Sequence, residues 1–321
     1  MELSAGPLDD RDSALLALLR LLEARGYRFV TPTPATHARV LARPERAEAR
    51  SVADVLGWSL PFRPGAIDPE VEALLDRAGA IETRDALRHA AVRVASLHDR
   101  LFLHSAYPTD DEDAVFFGPD SYRFADLIRA ELSASPPAPG AAVVDIGAGA
   151  GVGAITAAAL CPDARLCMTD VNPAALRLAR INAEAAGVSA NLLETDRLDG
   201  APERIDLALA NPPYIIDAAA RAYRDGGGMH GGQVSLDMAR MATERLAPGG
   251  RLILYTGSAI VGGEDALRTA LGRLAAGAGC DLRYRELDPD VFGEELANDA
   301  YRDVDRIALV AAVIRRPAAD A

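Results

Sequence analysis

The sequence predicts an α/β protein built on a doubly wound, mainly parallel sheet, and three observations carry that class. After residue 140, short apolar runs alternate with helix-length segments, the pattern of a parallel sheet with helices on its faces. The first run, Val143-Val144-Asp145-Ile146, enters a Gly-rich turn, Gly147-Ala148-Gly149-Ala150-Gly151, and then a helix. The last two apolar runs lack a helix between them, so they pair antiparallel.

The spacing predicts strand 142–146, helix 151–160, strand 165–169, helix 173–186, strand 189–194 and strand 205–210. Helix 233–246, strand 250–257, helix 264–276, strand 281–287 and a strand near 304–314 follow. Asn172-Pro173 suits a helix start, with proline in the first turn. Pro248-Gly249-Gly250 reads as a turn into the fifth strand. Ahead of this region, residues 12–25 form an amphipathic helix ended by Gly26, and further helices are expected at 44–56, 69–78 and 83–90. Val92–Leu97 and Leu101–His104 suit a pair of short strands. Residues 1–113 therefore read as a smaller, mainly helical N-terminal domain, winged-helix-like or purely helical, where substrate specificity should lie. Residues 114–321 read as the sheet domain.

Half of the 321 residues are hydrophobic, enough for a sizeable core. No run of eighteen apolar residues and no basic-then-apolar leader occurs, so a cytoplasmic protein without a membrane segment is expected. Cys161, Cys167 and Cys280 lack CxxC spacing, and the five histidines (37, 89, 98, 104 and 230) lack paired metal spacing, so no metal site is expected. Net charge is −13, and all 34 basic residues are arginine. An acidic chain does not attract bulk nucleic acid, whose affinity rests largely on phosphate neutralisation. Arg39, Arg43, Arg46 and Arg50 would make a basic stripe on a continuous helix, which Pro44 and the intervening acids disfavour.

The most informative residues are Asn211-Pro212-Pro213-Tyr214, directly after the apolar run Ile205–Ala210. They sit at the carboxyl end of a buried parallel strand, where open α/β sheets bind ligands. Two prolines stiffen the turn and remove two N–H donors. The Asn211 side chain and the Pro212 carbonyl are left as fixed acceptors, with the Tyr214 ring alongside. Such a pair suits a planar amine whose lone pair is delocalised, because accepting both N–H hydrogens localises that pair on nitrogen. Glycines 147, 149 and 151 permit positive φ and close ligand approach, and the helix behind them offers free N–H groups. Gly149 to Ala154 also fits the G-x-G-x-x-G/A dinucleotide pattern, so NAD is weighed too. Asp170 closes the next strand, where a carboxylate can hold ribose hydroxyls, and Asp196 follows the third, placed to meet an adenine amino group.

Taken in order, Asp145-Ile-Gly-Ala-Gly-Ala-Gly, Asp170-Val-Asn-Pro, Asp196 and Asn211-Pro-Pro-Tyr resemble class I S-adenosylmethionine-dependent methyltransferases. Within them the chain looks most like the HemK-type glutamine N5-methyltransferases and related small-domain methyltransferases, over residues 115–315. The resemblance implies a seven-stranded Rossmann-like sheet with an antiparallel last strand and displaces the six-stranded NAD fold. It implies S-adenosylmethionine as cofactor and S-adenosylhomocysteine as product. Gly147, Gly149 and Gly151 would line the methionine part, Asp170 the ribose, and Asp196 with Arg197 the adenine. Asp145, Ala148, Val171 and Asn211 complete the expected cofactor-binding set, and Asn211, Pro212 and Tyr214 the catalytic one. Gly118-Pro119-Asp120-Ser121 is similar to the family's cofactor-covering loop, with Asp120 or Ser121 also able to cap a helix at 121–132. The Gly-rich loop 217–232, including Tyr223 and His230, lacks the Glu-Pro that HemK-type enzymes carry there. Three acceptors stay open: a protein glutamine amide, an exocyclic amine of RNA or DNA with Tyr214 stacked on a flipped base, and a small molecule or peptide.

Overall fold

A computed structural model describes residues 2–3, 6–217 and 224–318; Met1, Tyr223 and the rest of 218–223 lie outside the described residues. The chain opens with β1 (Glu2–Leu3) and α1 (Asp10–Ala24), which Asp9 caps by accepting the Asp12 N–H at 2.8 Å. The α1 leucines 15, 18, 19 and 22 are buried, as their spacing predicts. Next come α2 (Pro34–Leu41), a 3₁₀ turn at Pro44–Arg46, α3 (Val52–Leu56) and α4 (Pro69–Arg77). The helix expected over 44–56 is therefore two short pieces. The arginine stripe is broken with it, since Arg46 leaves the row to pair with Asp54 at 2.6 Å. Helix α2 was not expected: it buries only His37 and Val40, too few to mark an apolar face, and owes its start to Thr33 and Pro34.

The helix expected at 83–90 is a hairpin, β2 (Ile81–Arg84) against β3 (Leu87–Ala90). Asp85 and Ala86 both take positive φ, 50° and 65°, the geometry of a tight two-residue turn. A second hairpin, β4 (Val92–Leu97) with β5 (Arg100–Ser105), forms as the sequence implies. With two hairpins present, a purely helical module is excluded.

The sheet region runs α5 (Pro119–Ala134), β6 (Ala142–Ile146), α6 (Val152–Ala158), β7 (Arg165–Asp170), α7 (Pro173–Ala185), β8 (Ala190–Glu194) and β9 (Ile205–Ala210). It continues through α8 (Gln233–Arg245), β10 (Leu246–Val261), β11 (Glu264–Asp265), α9 (Ala266–Gly277), β12 (Asp281–Asp288) and β13 (Arg306–Arg315). Strand order is β1-β8-β7-β6-β9-β10-β13-β12, with β11 paired to β10. Strand β13 is antiparallel to both its neighbours, and β6 to β10 are mutually parallel, so the predicted seven-stranded sheet is present with β1 added at one edge.

Side chains alternate faces along the central strands. Val143, Leu207, Leu209 and Ile253 join one apolar layer, whereas Val144, Ala208, Leu252 and Leu254 join the other, beneath α8 and α9. The chain winds outward from β6 through β7 to β8, then returns to lay β9 on the opposite side of β6. That reversal opens a crevice at the carboxyl ends of β6 and β9, where Ile146 lies opposite Ala210. The Gly turn and Asn211 leave the sheet there, side by side.

Candidate active site

Gly147, Gly149 and Gly151 take φ of 67°, 54° and 81°. A Cβ at Gly149 would meet nothing within 4 Å, so this backbone borders open space. Gly151 caps α6, and a Cβ there would press on Ala179 and Ile155 at 3.3 Å. Beneath the turn, the Asp145 carboxylate accepts the Ala154 N–H at 2.8 Å. A side chain at Gly153 would lie 2.6 Å from it, so residue 153 must be glycine for the acid to reach the helix N-terminus. Burial pushes the Asp145 carboxyl up to about 7, against the pull of the Ala154 N–H.

Asp170, at the end of β7, spans the first two turns of the crevice. One oxygen accepts the Gly149 N–H and the other the Asn172 N–H, both at 2.9 Å. Burial raises its pKa, and those N–H groups oppose the rise. Its carboxylate still has lone pairs to offer hydroxyls. Asp196 also borders the crevice, with its side chain largely exposed. Arg197 does not: it points to solvent, 4.0 Å from Asp196.

Asn211, Pro212 and Pro213 close the other side of a cavity of about 470 Å³. Asp145, Gly147, Ala148, Gly149, Asp170, Val171 and Asp196 line the same cavity, so most predicted site residues are brought together. Among the described residues, the Asn211 side-chain amide has no hydrogen-bond partner and is free to meet a ligand. Tyr214 is placed differently from the sequence expectation. Its ring is only 7% exposed and does not line the cavity, so it cannot stack on a flipped base. Its hydroxyl donates to Asp120 at 2.8 Å, behind the loop.

Sequence reasoning missed the opposite wall. Val234, Asp237, Met238 and Met241 line the cavity from α8, and the Met238 methyl would touch a Cβ at Gly147 at 3.0 Å. Their one-, two-turn spacing was a readable signal, but it also marks any half-buried helix. Phe116, Ser121 and Phe124 close the top. The helix expected at 121–132 begins earlier, at Pro119, with Gly118 as cap: its N–H donates to the Ser121 hydroxyl at 3.3 Å. The described part of the Gly-rich loop packs on the acceptor turn. A Cβ at Gly231 would lie 2.3 Å from the Tyr214 carbonyl, and Gly226 donates to Ile215 at 2.7 Å. Asp225 lines the cavity; His230 turns away to Asp303 at 3.1 Å. Among the described residues, no arginine lines the cavity and no group of three or more His, Cys, Asp or Glu is arranged to hold a metal.

The family described as methyltransferase small domain matches residues 126–279. The release factor glutamine methyltransferase of Cereibacter sphaeroides is 39% identical over 146 residues, 41% of this chain and 51% of that protein. The 4-amino-L-phenylalanine/4-methylamino-L-phenylalanine methyltransferase of Streptomyces pristinaespiralis is 37% identical over 144 residues, covering 41% and 49%. Ribosomal RNA small subunit methyltransferase C of Pseudomonas aeruginosa is 32% identical over 137 residues, covering 42% and 37%. The chain thus spans about half the length, or less, of these curated relatives. Over residues 126–279 the chain is thus similar to the methyltransferase small-domain family, and the fold brings its Gly turn and Asn-Pro-Pro-Tyr loop to one crevice.

Proposed function

We propose that this protein transfers a methyl group from S-adenosylmethionine to a planar nitrogen held by Asn211 and Pro212. The observation that carries the reading is one cavity walled on one side by the Gly turn and on the other by an Asn211 amide that has no partner among the described residues. Gly147, Ala148 and Gly149 hold the methionine part of the donor. Asp170 takes the ribose hydroxyls, Val171 packs beside them, and Asp196 meets the adenine amino group. Arg197 contributes at most a solvent-side charge, and Gly151 and Asp145 act by shaping the turn. When bound, the donor supplies a methyl already activated on a sulfonium, so this chain's residues bind, align and exclude water. Fixing two reactants in attack geometry can lower a barrier by about 7–11 kcal/mol. Asn211 and Pro212 accept the two N–H hydrogens and stabilise positive charge as it grows on nitrogen.

The acceptor we favour is a protein glutamine amide. The release factor glutamine methyltransferases of Cereibacter sphaeroides and Geobacter sulfurreducens, at 39% and 32% identity, support it. A small aromatic amine is the second reading. The thioethers of Met238 and Met241 and the ring of Phe116, all lining the cavity, suit an aromatic ring, and the aminophenylalanine methyltransferase is a relative. Methylation of RNA draws support from the ribosomal RNA relative, but among the described residues five aspartates and no arginine border the cavity, which disfavours a phosphate there. In this reading residues 1–113 select the acceptor, residues 114–321 carry the transfer, and the enzyme works in the cytoplasm. No described helix is long and apolar enough to cross a membrane.

Tritiated S-adenosylmethionine incubated with the protein and a purified release factor tests this directly. Label on a glutamine side chain supports the favoured acceptor. Label appearing only in the small-molecule or RNA fraction of a cell extract replaces it with one of the others.

A further inference from the structure

We propose that Asp120 is a positioning residue for methyl transfer, gripping Tyr214 by its hydroxyl and so setting where Asn211 and Pro212 stand. The proposal rests on the methyl-transfer reading above. Asp120 lies in the first turn of α5 and is 8% exposed. One carboxylate oxygen accepts the Tyr214 hydroxyl and the other accepts the Tyr255 hydroxyl, each at 2.8 Å. Tyr255 is fully buried in the middle of β10, so the carboxylate ties the acceptor turn to the sheet.

Further contacts leave the Tyr214 ring no freedom. It lies against Gly257, where a Cβ would fall 2.1 Å from the ring, and Phe292 meets it edge-on at 5.7 Å between centroids. From Tyr214 the backbone runs through two prolines to Asn211, and their fixed φ makes a stiff lever. Movement of the ring is therefore passed to the acceptor groups. The neighbour of Asp120, Ser121, lines the cavity, so one helical turn touches both the donor cover and the acceptor loop.

A buried carboxylate is costly unless its lone pairs are met. Here the donors are Tyr214 and Tyr255, with Arg123 at 3.9 Å as the nearest cation. Burial raises the Asp120 pKa, and these three groups oppose the rise. An apolar side chain would leave both buried hydroxyls without an acceptor, so the carboxylate's distinctive contribution is to fix the two in place.

The test compares Asp120→Asn, Tyr214→Phe and Asp120→Asn/Tyr214→Phe in the full-length protein, with a release factor as acceptor and S-adenosylhomocysteine as the donor-site probe. Asp120→Asn should lower kcat by roughly 10- to 100-fold, the order a small misplacement costs, with S-adenosylhomocysteine affinity held within about twofold. The double variant should lose little more than the worse single one, because both act through the same contact. Tyr214→Phe keeps the proposal decidable if Asp120→Asn does not fold, since it removes one hydroxyl and should show the same split. Unchanged kcat in a folded variant, additive losses, or a donor affinity falling as far as kcat overturns the proposal. Should the wild type leave the release factor unlabelled, the acceptor reading fails separately. Crystal structures of wild type and Asp120→Asn then decide the clamp: a displaced Asn211 amide supports it, and an unmoved one overturns it.

Discussion

The two walls of the crevice are built by different means. The donor side is made of chain that is close in sequence: Gly147 to Gly153, held by Asp145 and Asp170 through backbone N–H groups. The acceptor side is four residues long, and its rigidity is borrowed from far away. Asp120 reaches Tyr214 across 94 residues of sequence, and the Tyr301 hydroxyl accepts the Ile216 N–H at 2.7 Å across 85. The donor wall thus depends on local backbone geometry, while the acceptor wall depends on the assembled fold. Donor binding and turnover should consequently respond to different substitutions.

Asn211→Ala should give the largest separation. Losing a preorganised hydrogen bond of this kind costs about 2.7–4 kcal/mol of barrier, so kcat should drop by roughly 10²–10³-fold. Calorimetry should find donor affinity nearly intact, and a variant that keeps wild-type turnover would remove Asn211 from the chemistry. Asp170→Ala should act on the other wall, weakening the donor by about 1.5–3 kcal/mol, the worth of hydrogen bonds to a charged group. An unchanged donor affinity there would disconnect Asp170 from the ribose.

Two glycines sharpen the contrast. Gly257→Ala drives a methyl into the Tyr214 ring, and Gly153→Ala drives one into the Asp145 carboxylate. Each overpacked site should cost about 1–3 kcal/mol in thermal unfolding. Gly257→Ala should depress kcat more than donor affinity, and Gly153→Ala the reverse. Equal effects on both quantities would mean that the walls are not independent.

A last test, of stability alone, concerns pH. The Asp145 carboxyl stands at about 7 in the fold. In the unfolded chain it titrates near ~4. The folded state holds this proton more tightly, so the associated stability is full below the unfolded value and is lost as pH rises through the folded one. Stability of wild type relative to Asp145→Asn should therefore fall by up to about 1.4 kcal/mol per pH unit between about 4 and 7, then level off. Denaturant titrations at several pH values check this, and a flat difference contradicts it.

This contrast also explains what was legible in the sequence. Strand 205–210 and the alternation of strands with helices followed from apolar runs and glycine punctuation, and the structure places them as read. The Gly turn, Asp170 and Asp196 were legible as residues of one cavity because each directly follows or closes an apolar strand run. Tyr214 was misplaced because only the tertiary fold brings Asp120 and Gly257 to it. Met238 and Met241 were invisible as site residues, since α8 presents the same pattern whether it faces a cavity or a core. The 83–90 segment was misread as helix because its turn residues, Asp85 and Ala86, are not the usual glycine-rich signal.

A crystal structure with S-adenosylhomocysteine bound tests the central claim most directly. The account predicts its sulfur in the cavity between Gly147 and the Asn211 amide, with the ribose hydroxyls on Asp170. A ligand bound elsewhere, or a sulfur shielded from Asn211 by protein, would contradict it.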